Sequence, residues 1–172
     1  MSTDQESSST EASGPAPRSA APSGRVPFSK VDPRQLTSTL FERVGGRAGI
    51  ERIVDAFYDR VEQDAELRPL FGADTQSGRA KQKLFFEQWL GGEPLYSKRY
   101  GHPRLRMRHF PFVIDERAVG RWLRHMGEAL LACEVAREDV TIIMERLGPL
   151  ARHMMNAGED VPRQPLGDAR PQ

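Results

Sequence analysis

Apolar residues recur along the middle of this chain at spacings of three and four, the period of a helix with one buried face. The pattern predicts four substantial helices, around residues 50–61, 77–90, 119–133 and 140–154. In the first of them, Ile50, Val54, Phe57 and Val61 share one face. Polar and apolar residues nowhere alternate over a useful length, as they would in a half-buried strand. The predicted fold class is therefore all-α.

Glycine, proline and short polar residues indicate where these helices begin and end. The glycine pairs at 45–46 and 91–92 favour breaks, the first of which also ends a short helix at about residues 38–43. Asp115 is the expected N-cap of the third helix. In the fourth helix, Pro149 can introduce a kink, and Asn156 suits the C-terminal cap.

The two ends of the chain differ from its middle. Residues 1–34 are mostly Ser, Ala, Pro and Gly, and residues 158–172 are polar and interrupted by prolines. Such stretches bury too little apolar surface to offset the entropy lost on ordering. We predict a disordered tail at 1–34, one folded domain at 35–157 and a flexible tail at 158–172. The first tail does not have the pattern of a signal or transit peptide.

Charge and cysteine content exclude several classes of protein. The 25 Lys and Arg residues nearly balance the 24 Asp and Glu residues, so no overall basic field attracts nucleic acid or a membrane surface. No apolar run is long enough to span a bilayer. The single cysteine, Cys133, cannot form an internal disulfide, and a cytoplasmic location is the simplest expectation.

The connection between the second and third helices, about residues 93–114, lacks a helical stripe. A long irregular connection inside a compact helical domain is usually functional, unless something other than protein fills the space beside it. The connection contains the stretch GHPRLRMRHFPF, residues 101–112, with two of the four histidines and three arginines. A short helix fits between Pro103, in its first turn, and His109.

The four histidines differ in their expected surroundings. On helical wheels, His125 falls at the edge of an apolar stripe and His153 on a polar face, so both are expected to be partly exposed. His102 is expected to start the short helix. His109 lies one turn after Leu105 and shares its face. Taken alone, His109 could be a buried core histidine.

Three arginines next to His109 favour a more specific hypothesis. Arg104, Arg106 and Arg108 put three cations beside an apolar pocket. They could form a solvated basic loop, or they could serve a ligand with an apolar body, a central metal and carboxylates at its edge. Haem is such a ligand, since its iron takes an imidazole nitrogen and its propionates take Arg or Lys.

Several motifs together resemble the group II truncated haemoglobins. They are GHPRLRMRH followed by PF, the FYDRV of the first helix, the LGG after the second helix, and Trp122 in the third. The resemblance covers about residues 36–156. It implies a truncated globin fold, which is a two-over-two helical sandwich that encloses haem b.

The resemblance also implies roles for individual residues. His109 matches the proximal ligand of the haem iron, while Tyr58, Gln82 and Trp122 match distal positions that can donate to the bound ligand. Gly78 matches a position that gates a side entrance. The remaining residues expected to contact haem, with the last three near its propionates, are Phe71, Phe85, Leu105, Phe112, Met126, Arg108, Lys81 and Tyr96. Core packing alone would also explain Tyr58 and Trp122.

The implied function is reversible binding of O₂ at a His-ligated iron, with CO and NO as further ligands. The rival is a haem enzyme that detoxifies nitric oxide or peroxide, or a redox or gas sensor. A nitric oxide dioxygenase also needs a reductase, and the chain has no glycine motif for a nucleotide. A helical interaction module without haem is a third alternative. A homodimer is an expectation from the resemblance only.

Overall fold

The computed structural model describes residues 38–164, which contain seven α-helices, one 3₁₀ turn and no strand. The predicted all-α class is therefore confirmed. In chain order the elements are α1 (Leu40–Arg43), α2 (Gly46–Gln63), the 3₁₀ turn (Arg68–Phe71), α3 (Thr75–Trp89), α4 (Leu95–Tyr100), α5 (Leu105–His109), α6 (Glu116–Ala132) and α7 (Arg137–His153). None of these helices is long and apolar enough to cross a membrane. The predicted tail at 1–34 and residues 165–172 lie outside the described residues.

Side-chain caps explain where the long helices begin. Asp115 caps α6 as expected, because its carboxylate accepts the amide of Ala118 at 2.8 Å. Helix α3 begins two residues earlier than predicted, at Thr75, because the carboxylate of Asp74 accepts the amides of Gln76 and Ser77. Each cap satisfies backbone donors that the first turn leaves without partners.

The connection at 93–114 is more helical than predicted, since both α4 and α5 lie within it. The start of α4 is held by α3, whose Gln88 accepts the amide of Ser97 and donates to its hydroxyl, both at 2.9 Å. Tyr96 is buried in the same turn. These tertiary bonds stabilise a helix too short to show a clear apolar stripe.

Helix α2 is central to the packing, since it contacts both α3 and α6, and α6 packs in turn against α7. The apolar stripes identified in the sequence form one cluster between these helices. Its most deeply buried side chains include Ile50, Ile53, Val54, Phe57, Val61, Met126, Leu130, Ile143 and Leu147. Burial of each such side chain contributes about 1.5–3 kcal/mol, so this cluster supplies most of the driving force for folding.

The end of α7 differs from the prediction in its cap. The helix runs through Pro149 to His153, as the periodicity predicts, but its C-cap is Met154 instead of Asn156. Asn156 is almost fully buried, and its side chain accepts the amide of Ile114 at 3.2 Å. Asn156 therefore connects the end of the chain to the segment between α5 and α6.

The prediction that His125 is partly exposed is wrong. Its ring is buried, and Nε2 lies 2.7 Å from the carboxylate of Asp64, the C-cap residue of α2. Arg121 donates to the same carboxylate at 3.0 Å. A polar ring can be buried at the edge of an apolar stripe when a partner on a neighbouring helix satisfies it, and a helical wheel does not show that partner. His153 is exposed.

Loss of the Asp64 carboxylate should lower the stability of the folded protein and make that stability less sensitive to acid. The hydrogen bond from His125, those from two backbone amides and that from Arg121 together hold the pKa of Asp64 well below its ordinary value. Its stabilising effect is therefore present above the unfolded pKa, about 4, and is lost as the pH falls through the lower folded value. We expect Asp64→Asn to lower the free energy of unfolding at pH 7 by about 1–3 kcal/mol.

Urea unfolding of Asp64→Asn between pH 2.5 and 7 measures this effect. The variant should lose less stability than the wild type below about pH 4. Asp160→Asn, at an exposed position near the end of the described chain, is the matched control and should follow the wild type. Equal pH dependence for Asp64→Asn and the wild type would contradict the assignment.

Candidate functional site

A cavity of about 780 Å³ lies among α2, α3, α5, α6 and α7. Its wall is mainly aromatic and aliphatic, with a few polar side chains placed within it. Pockets of this size and character bury small molecules and cofactors. The cavity therefore occupies the space beside α5, as in the alternative in which something other than protein lies next to this connection.

His109 lines the cavity at the end of α5. Its Nδ1 lies 2.7 Å from the backbone carbonyl oxygen of Leu105, which accepts its hydrogen. Burial lowers the pKa of His109, so the ring stays neutral. The hydrogen bond selects the tautomer with a lone pair on Nε2, the form of imidazole that ligates metals.

Tyr58 brings a buried phenol to the cavity from α2. Its ring packs edge-on against Phe71, with centroids 5.5 Å apart. A Cβ atom at Gly78 on α3 would lie 2.9 Å from the Tyr58 hydroxyl oxygen, so only glycine leaves the phenol in this place. Burial raises the pKa of Tyr58 well above its ordinary value, which keeps the hydroxyl protonated and able to donate.

Gln82 and Trp122 add two N–H donors, from α3 and α6. The amide nitrogen Nε2 of Gln82 is buried and has no hydrogen-bond partner in the part of the chain that the structure describes. The Trp122 ring packs against Phe57 at 5.2 Å between centroids. Within residues 38–164, neither the Trp122 indole nor the Tyr58 hydroxyl has a hydrogen-bond partner. A buried donor without an acceptor is costly, so the Gln82 amide points to an acceptor supplied by a ligand. The Tyr58 and Trp122 donors are available to the same cavity.

Two cationic side chains line the same cavity, Lys81 on α3 and Arg108 on α5. Arg108 donates from Nε to the carbonyl of Pro103 at 3.1 Å, and the Lys81 ammonium lies 5.4 Å from the centroid of the Tyr100 ring. Tyr96, next to them, packs edge-on against Phe85. Cations at the edge of an apolar cavity suit carboxylates on an otherwise apolar ligand.

The structure brings the predicted site residues together, with one exception. The predicted residues that line the cavity are Tyr58, Phe71, Gly78, Lys81, Gln82, Phe85, Tyr96, Leu105, Arg108, His109, Phe112 and Trp122. Met126 does not line it; this side chain is fully buried in the core cluster instead. It lies one helical turn after Trp122 on α6, and at that point the helix faces protein.

One wall of the cavity was missed by sequence reasoning. Helix α7 contributes Leu147, Leu150, Ala151 and Met154 to it. Their spacing had identified them as an apolar stripe, but a stripe that faces a cofactor has the same period as one that faces another helix. The chemistry of the side chains offers no further signal, since all four are simple apolar residues.

These features fit haem. The part of the chain that the structure describes has no cluster of three His, Cys, Asp or Glu side chains that could hold a metal ion. A single neutral imidazole in an apolar cavity instead suits an iron whose other ligands come from a macrocycle. The buried Gln82 amide suits a ligand that accepts a hydrogen bond within the same cavity.

Comparison with known proteins gives the same family by sequence and by structure. The family model for bacterial-like globins matches residues 39–156. The chain is 39% identical over 125 residues to the Group 2 truncated hemoglobin YjbI of Bacillus subtilis, covering 73% of this chain and 94% of that protein.

Two crystal structures show the likeness in three dimensions. The group II truncated hemoglobin of Bacillus anthracis superposes with a TM-score of 0.68 at 40% identity, covering 70% of this chain and 92% of that one. A truncated haemoglobin of Bacillus subtilis described as oxygen-avid gives 0.66 at 38% identity, with 69% and 100% covered. The fold, the cavity and these relatives together show that the chain belongs to the bacterial-like globins, as a group II truncated haemoglobin that carries haem b and binds diatomic gases.

Proposed function

We propose that this protein reversibly binds O₂ at a haem iron ligated by Nε2 of His109, with Tyr58, Gln82 and Trp122 as hydrogen-bond donors to the gas. The observation that carries the proposal is the buried amide nitrogen of Gln82, which has no acceptor among the described residues. The proximity of two further donors to the same cavity, the Tyr58 hydroxyl and the Trp122 indole, supports it.

Haem held by these residues would supply a ferrous iron that binds a diatomic gas. Hydrogen bonds from the protein favour O₂ over CO, because bound O₂ carries partial negative charge and CO is the poorer hydrogen-bond acceptor. Donors held in an apolar cavity therefore stabilise O₂ in preference to CO and slow its release. The Bacillus subtilis neighbour described as oxygen-avid is consistent with such a role.

Nitric oxide dioxygenation is the second candidate, because the same three donors could hold O₂ for reaction with nitric oxide. That activity requires a reductase to return the iron to the ferrous state, and the reductase stays a prediction, as does the homodimer. Peroxidase chemistry is less well supported. Among the described residues that line the cavity, His109 is the one imidazole, and its proposed role is to ligate the iron.

Substitution of Gln82 tests whether its amide serves a ligand. We expect Gln82→Leu to release O₂ about two- to tenfold faster, since one donor to the ligand is lost while two remain. CO release should change less. Stopped-flow measurement of both gases on the reduced protein gives these rates, after an absorption spectrum in air has established that the protein is oxygenated.

Gln76→Leu is the matched control, since Gln76 is exposed on the same helix. It makes the same chemical change away from the cavity and should leave both rates unchanged. If Gln82→Leu raises thermal stability while its O₂ rate equals that of the control, the amide is only a poorly satisfied core group and the proposal is wrong.

A further inference from the structure

The segment that carries His109 has little stability of its own. Helix α5 is one turn long, and its N-cap, Arg104, has no side-chain capping bond and a left-handed backbone with φ of 45°. Isolated helices of this length do not form in water. Residues 109–114 (the His109 loop) begin at the last residue of α5, include Pro111 and continue to α6 without further helix. Tertiary contacts must therefore hold the imidazole in place.

The end of the described chain supplies such contacts. Residues 156–163 (the strap) lie against the His109 loop. Asn156 donates from Nδ2 to the carbonyl of His109 itself at 3.1 Å. Its own amide and that of Ala157 both donate to the carbonyl of Ile114 at 3.0 Å, and its side-chain oxygen accepts the amide of Ile114. Asn156 thus binds both ends of the loop.

Arg163 closes the strap over the middle of the loop. Its Nη1 donates to the carbonyls of Phe110 and Phe112, at 2.9 and 3.2 Å. The same atom lies 2.8 Å from the side-chain oxygen of Asn156, and Nη2 donates to the carbonyl oxygens of Asn156 and Glu159. One guanidinium therefore joins the loop and the strap, including backbone carbonyls that no helix satisfies.

A second arginine makes the reciprocal connection from α5. Arg106 donates to the carbonyl of Met155 at 2.9 Å and also to that of His153, and it forms an ion pair with Glu159 at 2.5 Å. The contacts of the domain therefore run at least as far as Arg163, beyond the boundary at residue 157 expected from the sequence. Polar composition could not reveal this, because the bonds are made largely to backbone groups.

We propose that the strap positions the His109 imidazole toward haem iron, with Asn156 and Arg163 as positioning residues. The inference rests on His109 as the iron ligand, as proposed above. By fixing the carbonyls of the His109 loop, the strap limits the tilt and displacement of the ring, which sets the strength of the iron–imidazole bond and the rate of haem loss. Neither residue touches the haem itself in this scheme.

Arg163→Ala tests the proposal in the full-length, haem-loaded protein. Three measurements report on the loop: hydrogen exchange of the amides of residues 110 and 112–114, the iron–histidine stretching band of the ferrous protein in resonance Raman spectra, and the rate of haem transfer to an acceptor apoglobin. We expect exchange and haem transfer to be about three- to tenfold faster, with a shifted or broadened band. The melting temperature should change little, since Arg163 is exposed.

Arg146→Ala is the matched control, because Arg146 is an exposed arginine on α7 that forms no hydrogen bond or ion pair with the described residues. Asn156→Asp keeps the shape of the side chain but removes its donor to His109, and its effects should exceed those of Arg163→Ala. If Asn156→Asp does not fold, Arg163→Ala decides alone.

Two distinct results would overturn two distinct claims. If Arg163→Ala equals Arg146→Ala in all three measurements, the strap does not position the imidazole, whatever ligates the iron. If His109→Ala retains a normal iron–histidine band, the proposed ligand is wrong and the strap inference fails with it. A normal wild-type band that is lost in His109→Ala and altered in Arg163→Ala supports both.

Discussion

Replacement of His109 by alanine is expected to remove the normal ferrous haem spectrum and most of the bound haem. The side chain is the one imidazole among the described residues that line the cavity, and its Nδ1 bond to Leu105 leaves Nε2 for the iron. Loss of a group that merely supports a metal ligand costs about 10–100-fold in affinity, so loss of the ligand itself should cost more. Haem titration of the purified apoprotein, followed by its visible spectrum, measures the effect.

His153→Ala provides the matched control, since His153 is an exposed histidine at the end of α7. It should bind haem as the wild type does. His125→Ala should also retain the spectrum, but with lower stability, because it leaves the buried Asp64 without its main partner. A normal spectrum in His109→Ala, or its loss in His125→Ala at a temperature where the protein is folded, would contradict the assignment of the iron ligand.

The second large effect is expected from Tyr58→Phe and Trp122→Phe. Each change keeps an aromatic ring in the cavity wall and deletes one donor. A hydrogen bond to a charged acceptor is worth about 1.5–3 kcal/mol, which corresponds to roughly ten- to a hundredfold faster O₂ dissociation per variant. CO dissociation should change by a factor of about two or less, because CO accepts hydrogen bonds weakly. Stopped-flow gas release measures both.

The chain offers a control for each of these changes. Tyr100→Phe and Trp89→Phe make the same chemical substitutions at partly buried positions that do not line the cavity. They should alter thermal stability at most. If Tyr58→Phe and Trp122→Phe lower the melting temperature while O₂ dissociation stays at the control value, both residues serve core packing alone, which was the simpler explanation of their helical spacing.

The sequence was sufficient for the helical class and, through the family resemblance, for just under half of the residues that line the cavity. Periodicity located α2, α3, α6 and α7 because each buries a stripe against its neighbours. The GHPRLRMRH motif located α5 and His109, because its match to the group II truncated haemoglobins assigns roles to individual positions, which composition alone cannot do. The resemblance assigned Met126 to the cofactor, whereas the packing of α6 places its side chain in the core cluster.

What the sequence could not supply were long-range polar contacts. His125 on α6 forms a hydrogen bond with Asp64 at the end of α2, 61 residues earlier in the chain. Asn156 forms one with His109, 47 residues earlier. No local pattern indicates such pairs, because each partner is an ordinary polar residue at the end or edge of its own element. The same holds for Arg163, whose acceptors are mainly backbone carbonyls. The contacts of Asn156 and Arg163 connect the loop that carries the proposed iron ligand to the residues after α7.

The close approach of Gly78 to Tyr58 makes the two positions epistatic. Since a Cβ at residue 78 would lie 2.9 Å from the phenol oxygen, an alanine there cannot be neutral while Tyr58 keeps its place. A larger residue at position 78 therefore requires the phenol to move, and phenylalanine at position 58 would remove the atom that it meets. The sizes of the side chains at positions 58 and 78 are thus coupled, so a substitution at one position changes which residues fit at the other.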